Sequence, residues 1–439
     1  MDNKSYSGIK YLLFGLIIFM MVASPFYKEF HKYYGFEDFM PLKGDVRYAE
    51  KPEFSWINWF NGSFQMAYDK YLEDHVGFRP LLVRLYNQID FSLFRRGHAG
   101  GIVIGKEDFL FEINYINAYT GIDYLGDEII VEKCNKIKVV QEELAKLNTE
   151  LLVVFAPGKG SFFPEYIPDE YLPESIGITN MQAFENCFRD KGINHINFNT
   201  WFCSMKDTSA YALYPKCGIH WSDYGSSIAL DSIVRYIENK LGIDMVELKH
   251  EGIEISEEPR LTDYDIGDGM NLYFQIPSRP MPYLTGHSYN DNGKVKPGIM
   301  VIGDSYYWSI YNKPFSKFLW KIQDFRYYNQ ESYSPGKEKS LPAIISVKEL
   351  GKFDVIMLIY TEATMMKFAN NFINDAYLTL TSDKEIQEVI ERILNTPEWL
   401  AHVTEKAEKK GISIEQMLHL DAQWVIEEER KKESELTEN

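Results

Sequence analysis

A serine at the end of a short apolar run is the first candidate for chemistry in this 439-residue sequence. Residues 298–303 (GIMVIG) are apolar and rich in β-branched side chains, which predicts a buried strand. Asp304 and Ser305 follow, and the aromatic segment after them can begin a helix. A serine on such a turn can act as a nucleophile, with nearby backbone N–H groups holding an oxyanion. Asp and Ser are also common helix caps, and on this stretch alone a cap is the favoured interpretation.

A histidine that could serve as the base lies earlier in the chain. Residues 214–225 (YPKCGIHWSDYG) place His220 and Trp221 just ahead of an amphipathic run, residues 226–241, that is typical of a helix. An imidazole on a short loop could accept the proton of a serine hydroxyl. A half-buried histidine packed beside an aromatic ring is the alternative, and it is the favoured one without the serine motif.

Together with other segments, these two motifs resemble the SGNH hydrolase-like domain of the alginate O-acetyltransferase family, the AlgX and AlgJ type. The segments that carry the resemblance are residues 71–79 (YLEDHVGFR), 104–111 (IGKEDFLF), 156–161 (APGKGS), 219–221 (IHW) and 303–305 (GDS). The resemblance implies that Ser305 is the nucleophile and His220 the base. It also implies a permuted arrangement, because the serine here follows the histidine.

One position departs from the family pattern. The resemblance implies an aspartate two residues before the histidine, where this chain has Gly218. We therefore expect a Ser305–His220 dyad unless another carboxylate orients the imidazole. Losing the orienting aspartate of a triad can lower turnover by about ten-thousandfold. Glu362, just past an apolar strand, is the strongest substitute, although a helix-cap role is favoured for it.

Other residues are candidates for supporting roles. Asp304 is adjacent to the candidate nucleophile, and Trp221 is adjacent to the candidate base. The loop of Gly158, Lys159, Gly160 and Ser161 follows a buried strand, so its backbone could donate to an oxyanion or a sugar, or it could be a plain strand-to-helix turn.

Composition excludes several other classes of function. The net charge of −18 opposes binding to nucleic acid or to anionic lipid headgroups. There is no Walker loop or dinucleotide fingerprint, and we expect no cofactor. No pair of cysteines has zinc-ligand spacing, and the acidic run at 263–268 (DYDIGD) lacks the glutamate of an EF-hand, so we expect no metal. Cys203 and Cys217 could pair, but four cysteines leave the connectivity open.

The pattern of the first residues is typical of a targeting segment. Two lysines, Lys4 and Lys10, precede an uncharged apolar run at residues 11–23. This run is shorter than the ~20 residues that span a bilayer, so signal peptide and signal anchor are both open, and the anchor is favoured. We therefore expect a cell-envelope protein, attached to the membrane by this segment, with its catalytic part outside the cytoplasm.

The expected fold is α/β, because strands and helices alternate from residue 101 to residue 362. The resemblance makes this an SGNH-hydrolase-like three-layer sandwich with a mostly parallel sheet. We expect four parts: the anchor or signal peptide at 1–26, a helical lead-in at 27–100, the SGNH hydrolase-like (AlgX/AlgJ-like) domain at 101–381, and charged helices at 382–439. Residues 241–296 are expected to be an irregular insertion that shapes a substrate groove.

The expected function is O-acetyl transfer to an exported polysaccharide through an acyl-serine intermediate. The residues alone support a serine acyltransferase or esterase, and the acetyl-transfer part is implied by the resemblance. The alternatives are a carbohydrate acetyl esterase and a catalytically impaired glycan-binding or assembly protein, for which Gly218 is the main argument. The resemblance also implies a membrane-bound O-acyltransferase partner that supplies acetyl groups.

Overall fold

The computed structural model describes residues 3–34, 40–44 and 46–437, and its centre is a six-stranded mixed sheet. The described residues form ten strands, six in this central sheet and two in each of two separate hairpins. They are β1 (Ile102–Ile104), β2 (Leu110–Glu112), β3 (Glu150–Ala156), β4 (His195–Asn197), β5 (Glu247–Ser256), β6 (Met281–Asn290), β7 (Gly298–Gly303), β8 (Ile322–Tyr327), β9 (Glu331–Tyr333) and β10 (Val355–Thr361). The central sheet has the order β4-β3-β10-β7-β8-β9, and only β9 runs antiparallel to its neighbour. The expected α/β class with a mostly parallel sheet is confirmed.

The register of the central strands brings several loops to one edge. Thr361 of β10 pairs with Ala156 of β3, and Ile359 pairs with Gly303 of β7. The loops that follow these three strands therefore leave the sheet side by side at its carboxyl edge, where ligands of parallel sheets commonly bind. Ser305 and Glu362 are both on these loops.

Helices pack on both faces of the central sheet, and the described residues form eighteen α-helices in all. They are α1 (Asn3–Tyr34), α2 (Trp56–Phe60), α3 (Ser63–His75), α4 (Arg79–Phe94), α5 (Ile113–Thr120), α6 (Asp127–Lys146), α7 (Lys159–Phe162), α8 (Asn180–Lys191), α9 (Phe198–Met205), α10 (Asp223–Leu241), α11 (Asp265–Gly269), α12 (Trp308–Tyr311), α13 (Ser316–Leu319), α14 (Val347–Leu350), α15 (Phe372–Thr381), α16 (Lys384–Leu394), α17 (Pro397–Lys410) and α18 (Ile414–Thr437). Along β7, Ile299 and Val301 pack in one apolar cluster, and Met300 and Ile302 pack in the other. Burial on both faces explains why this strand is apolar throughout.

The segment between α10 and β7 is more regular than the sequence predicts. β5 and β6 form a long antiparallel hairpin, whereas we expected irregular structure over residues 241–296. Gly252, Pro282 and Gly286 lie inside these strands and mask their pattern. Gly286 has a φ of 59°, a conformation that most residues resist. The connection between the two strands carries α11.

The amino-terminal helices pack against that connection. Arg84 of α4 donates to the carbonyl oxygen of Leu272 at 2.8 Å, and Asn87 donates to that of Met270 at 3.0 Å. Arg79 at the start of α4 forms an ion pair with Asp74 of α3, with 2.9 Å between Nη2 and Oδ1. The lead-in therefore supports the segment that begins at α11.

The predicted anchor or signal peptide lies within α1, apart from residues 1 and 2, which are outside the described residues. Across the described residues, no helix combines the length and the apolar character needed to cross a membrane. The structure thus gives the predicted membrane anchor no support. All four cysteines are free, so the suggested pairing of Cys203 with Cys217 is not formed.

The carboxyl-terminal helices appear where the sequence predicts them. α16, α17 and α18 share a small apolar cluster of their own, which includes Ile393 and Leu418. They are tied to the rest of the chain by Ser413, whose hydroxyl donates to Asp375 of α15 at 2.8 Å. Glu415 also accepts a hydrogen bond from the backbone N–H of Ile345 at 3.0 Å. The four part boundaries expected from the sequence remain predictions.

Candidate active site

Ser305 begins a single 3₁₀ turn directly after β7, as the sequence predicts. Gly303 permits the turn, since a Cβ there would lie 2.8 Å from the Ile359 carbonyl oxygen. Asp304 caps the turn by accepting from the Tyr306 N–H at 3.0 Å. The Ser305 N–H donates to no acceptor among the described residues, so it is a candidate oxyanion donor.

Asp304 is fully buried and its carboxylate is fully engaged. Its other oxygen accepts from the Thr361 N–H at 2.8 Å and from the Thr364 hydroxyl at 2.6 Å. Burial raises its pKa above the ordinary range, while these hydrogen bonds oppose the rise. Asp304 therefore ties the nucleophile turn to the end of β10, and its oxygens hold Thr361, Thr364 and Tyr306 instead of His220.

His220 lies against the candidate nucleophile. Its Nε2 is 2.9 Å from the Ser305 hydroxyl oxygen, although the two residues are 85 positions apart. The loop is held on both sides, because the Tyr306 hydroxyl donates to the Ile219 carbonyl at 2.5 Å and the Lys159 ammonium donates to the Gly218 carbonyl at 2.6 Å. This geometry suits proton transfer from the serine hydroxyl to the imidazole.

Asp265 supplies the carboxylate that the sequence analysis did not find. Its Oδ2 is 2.7 Å from His220 Nδ1, and its Oδ1 accepts from the Ile219 N–H at 2.9 Å. With Nδ1–H donating to the carboxylate, Nε2 is left free to accept the Ser305 proton. The condition stated with the expected dyad, that another carboxylate orients the imidazole, is met by Asp265, and the three side chains form a continuous serine–histidine–aspartate relay.

The chain around Gly218 explains why the carboxylate comes from elsewhere. A Cβ at this position would lie 2.3 Å from the Thr262 carbonyl oxygen and 2.8 Å from the carbonyl carbon of Asp263. The segment that carries Asp265 therefore occupies the space in which a side chain at 218 would stand. Position 218 must be glycine because of this close approach of two backbones.

The three aspartates of the acidic run at residues 263–268, which was compared with an EF-hand, each contact a different partner. Asp263 accepts from the Tyr283 hydroxyl at 2.5 Å, Asp265 faces His220, and Asp268 pairs with Lys43 at 2.8 Å. Across the described residues, no group of three or more acidic, histidine or cysteine side chains is placed to hold a metal ion.

Glu362, the predicted substitute, belongs to a different cluster. It is buried and accepts hydrogen bonds from the backbone N–H and the hydroxyl of Ser161. Burial raises its pKa to about 7, and the charge of Asp123 adds to the rise. It has no hydrogen bond to His220, so Glu362 is not the orienting carboxylate.

The loop after β3 is not arranged as an oxyanion site. The Gly158 N–H donates to Asn199 at 2.9 Å, and the N–H groups of Gly160 and Ser161 donate to Glu362. Lys159 is fully buried, and its ammonium holds the carbonyls of residues 216 and 218. Burial lowers its pKa to about 7. The loop therefore braces the His220 loop, and the expectation that it holds an oxyanion or a sugar is not supported.

Two further side chains complete the surroundings. Trp221 is buried, donates to the Ser309 hydroxyl and lies 5.6 Å from the Tyr306 ring, so it fastens the helix after the nucleophile. Glu112, which the sequence analysis missed, interacts electrostatically with His220 and Asp265, and burial raises its pKa above the ordinary range. Its position at the end of a short hairpin strand gave no signal of this placement.

Comparison with known proteins agrees with the resemblance. Residues 102–265 match the family model described as the SGNH hydrolase-like domain of acetyltransferase AlgX. The matched range includes His220 and Asp265 and ends before Ser305. A probable alginate O-acetylase AlgJ from Azotobacter vinelandii is 23% identical over 178 residues, which are 40% of this chain and 44% of that protein. The match thus spans less than half of that relative.

Three solved structures are similar over more than half of the chain. The O-acetyltransferase domain of Pseudomonas putida AlgJ is 13% identical, with a TM-score of 0.41 over 63% of this chain and 99% of that one. Pseudomonas aeruginosa AlgX is 15% identical, with a TM-score of 0.41 over 64% of this chain and 66% of that one. Bacillus cereus PatB1 is 13% identical, with a TM-score of 0.39 over 61% of this chain and 99% of that one.

Proposed function

The chain belongs to the AlgX/AlgJ-type SGNH hydrolase-like family, and from this premise we propose that it transfers acetyl groups to hydroxyls of an exported polysaccharide. The observation that carries the proposal is the relay from the Ser305 hydroxyl through His220 to Asp265, with distances of 2.9 and 2.7 Å. This relay also removes the main argument for a non-catalytic role, which was the missing carboxylate.

In the first half-reaction, the Ser305 oxygen attacks the carbonyl carbon of an acetyl ester donor. His220 Nε2 takes the hydroxyl proton, and Asp265 stabilises the resulting imidazolium. The Ser305 N–H is the donor proposed for the oxyanion of the tetrahedral intermediate. When the intermediate collapses, the bond from the acetyl carbon to the donor oxygen breaks and His220 returns the proton to that oxygen. The products are acetyl-Ser305 and the donor alcohol.

In the second half-reaction, a sugar hydroxyl takes the place of the donor. It gives its proton to His220 Nε2 and attacks the acetyl carbon of acetyl-Ser305. Collapse of the second intermediate breaks the bond to the Ser305 oxygen, which recovers its proton from the imidazolium. The acetylated sugar leaves and the resting enzyme is restored. Water in place of the sugar hydroxyl would make the same chemistry an esterase reaction.

The choice of a polysaccharide acceptor is supported by the family and by the name of the relative, a probable alginate O-acetylase. We extend the proposal to an extracytoplasmic location, where an exported polymer is accessible. A membrane-bound O-acyltransferase is proposed as the source of the acetyl groups.

The test uses the purified full chain with a chromogenic acetyl ester as donor and an oligosaccharide as acceptor. Acetylated oligosaccharide, detected by mass spectrometry and absent with Ser305→Ala, is the expected product. Release of free acetate at a rate independent of the oligosaccharide would instead identify an esterase. Failure to form either product, with retained binding of the oligosaccharide, would identify a glycan-binding protein. In a deletion strain, the acetyl content of the exported polysaccharide should fall for a transferase and rise for an esterase.

A further inference from the structure

Two of the four thiols lie together on the face of the sheet opposite Tyr306. Cys134 of α6 is fully buried, and Cys187 of α8 is half-buried. α6 and α8 pack against each other, and both cysteines belong to the apolar cluster that contains Met300 and Ile302. The side chains of Cys134 and Cys187 are hydrogen-bonded to each other. The two sulfur atoms are therefore in contact across a helix interface.

The apolar stripes of the two helices explain why these sulfur atoms meet. Cys134 lies in the buried stripe of α6, one turn after Ile130 and one turn before Ile137. Cys187 lies at the margin of the buried stripe of α8, one turn after Ala183. Because both stripes pack on the sheet, they hold the two thiols opposite each other. Thiols in hydrogen-bonding contact can be joined by small side-chain rotations, which satisfies the geometric demand of a disulfide.

The other two cysteines face separate partners. Cys203 is half-buried, and its thiol lies 3.6 Å from the Ser161 carbonyl oxygen. Cys217 is fully buried near the Lys159 ammonium. Burial raises the pKa of the Cys217 thiol to about 11, and the charge of Lys159 opposes the rise. Four cysteines allow three complete pairings, and the structure favours the ones that join residues 134 and 187.

The two contacting thiols differ in their access to solvent. Burial raises the pKa of the Cys134 thiol well above its ordinary value, the hydrogen bond to Cys187 adds to the rise, and the charge of Lys191 opposes it. The thiolate is the form that attacks a disulfide, so Cys134 is shielded from an external reagent. Cys187 is only half-buried and can meet such a reagent. The difference in burial therefore sets the order in which the two thiols react.

We propose that Cys134 and Cys187 are a disulfide-forming site oxidised by an external small-molecule disulfide, with Cys187 reacting first. The Cys187 sulfur attacks one sulfur of that disulfide, whose S–S bond breaks, and one external thiol leaves with the Cys187 proton. The Cys134 sulfur then attacks the Cys187 sulfur, and the second external thiol leaves with the Cys134 proton. Two protein thiols are oxidised, and one external disulfide is reduced to two thiols. The site does not depend on the proposed function.

The bond would fasten α6 to α8 and close residues 134–187 into a loop that contains β3 and α7. A cross-link restricts the unfolded chain, so the oxidised protein should unfold at a higher temperature than the reduced protein. We expect a rise in melting temperature of about 5 °C. Cys187→Ala cannot form the bond, and its melting temperature should be the same with and without the oxidant.

The test exposes the reduced full chain to oxidised glutathione and maps its peptides by mass spectrometry without reduction. Cys203→Ser serves as the parent, because it removes the other half-buried thiol. The peptides of Cys134 and Cys187 should be joined, with no glutathione retained. With Cys134→Ala added, glutathione should remain on Cys187, since no second thiol displaces it. With Cys187→Ala added, Cys134 should acquire no glutathione, because it is buried.

The result for the parent does not depend on whether the added variants fold. Retention of glutathione on Cys187 in the parent, or two free thiols at residues 134 and 187 after exposure to the oxidant, would overturn the proposal. Glutathione on Cys134 in the folded Cys187→Ala protein would contradict the order of attack. A melting temperature that is unchanged or lower in the cross-linked parent would contradict the stabilising role of the bond.

Discussion

Two serine–carboxylate pairs lie at the same edge of the sheet, and they differ in one decisive way. Ser305 meets Asp265 through the imidazole of His220, whereas Ser161 donates directly to Glu362. Both serines follow parallel strands, and both carboxylates come from distant segments of the chain. In the first pair an imidazole stands between the serine and the carboxylate, whereas in the second the carboxylate contacts the serine hydroxyl directly and also accepts from the Ser161 N–H.

The environments of the two carboxylates reinforce the difference. Glu362 is buried, and its pKa is raised to about 7, so it acts as an anchor for the loop after β3. The side chain of Asp265 keeps 29% exposure and accepts from both His220 and the Ile219 N–H. A carboxylate therefore orients a catalytic imidazole only where the fold leaves room for the ring between acid and serine.

The largest expected effect comes from removing the nucleophile or the base. Ser305→Ala or His220→Ala should each lower acyl-transfer turnover on the order of a millionfold, and the double variant should be no worse, because the two groups act as a unit. Ser161→Ala is the matched control and should leave turnover within a few-fold. Rates with a chromogenic acetyl ester measure all four variants. Loss of activity in Ser161→Ala, with activity retained in Ser305→Ala, would reverse the assignment.

The next effect distinguishes the two carboxylates. Asp265→Asn should lower turnover by about ten-thousandfold, because the amide no longer fixes the imidazole tautomer. Glu362→Gln keeps the size of the side chain and should change turnover by less than about tenfold. Both variants should be compared by kcat with the same ester. If Glu362→Gln were the more damaging of the two, the relay through Asp265 would be wrong.

A third variant tests why the carboxylate comes from residue 265. A side chain at residue 218 has no room, because the backbone of residues 262 and 263 fills that space. Gly218→Asp should therefore destabilise the fold by roughly 3 to 5 kcal/mol, the cost of an unpaired buried charge, and should not raise turnover. Gly100→Asp is the control, because a Cβ at Gly100 meets no atom within 4 Å. Urea unfolding measures both, and increased turnover in Gly218→Asp would contradict the account.

The smallest effect is a pH dependence of stability. The pKa of Glu362 is raised from 4.5 to about 7, so the folded state binds more protons than the unfolded state between these values. Its contribution is fully present below pH 4.5 and is lost as the pH rises through 7. Glu362→Gln should remove this dependence and gain on the order of 1 to 3 kcal/mol relative to the parent at pH 8. Denaturant unfolding at pH 4.5 and pH 8 tests this, and equal differences at both would refute it.

Much of the fold was predictable, because long periodic patterns report local structure. The strands at β3, β7 and β10 and the charged terminal helices lie where the sequence places them. The hairpin of β5 and β6 was missed because glycine and proline interrupt its pattern.

The candidate site was only half predictable. Ser305 and His220 carry local motifs, and the register of the sheet brings them together. Asp265 carries no such motif. It lies 45 residues after His220, in an acidic run within the segment that was expected to be a groove-forming insertion. The glycine at 218 was the available signal, because it permits the close approach of another backbone that carries the missing carboxylate.

The most direct test of the central claim is to trap the acyl-enzyme. The full chain is mixed with a chromogenic acetyl ester, quenched in acid and mapped by peptide mass spectrometry. The account predicts one acetyl group on Ser305 in the parent and in Ser161→Ala, and none on this peptide in Ser305→Ala. Asp265→Asn should acquire the same group far more slowly. An acetyl group on Ser161, or turnover with no acetyl-Ser305 at any time, would contradict the account.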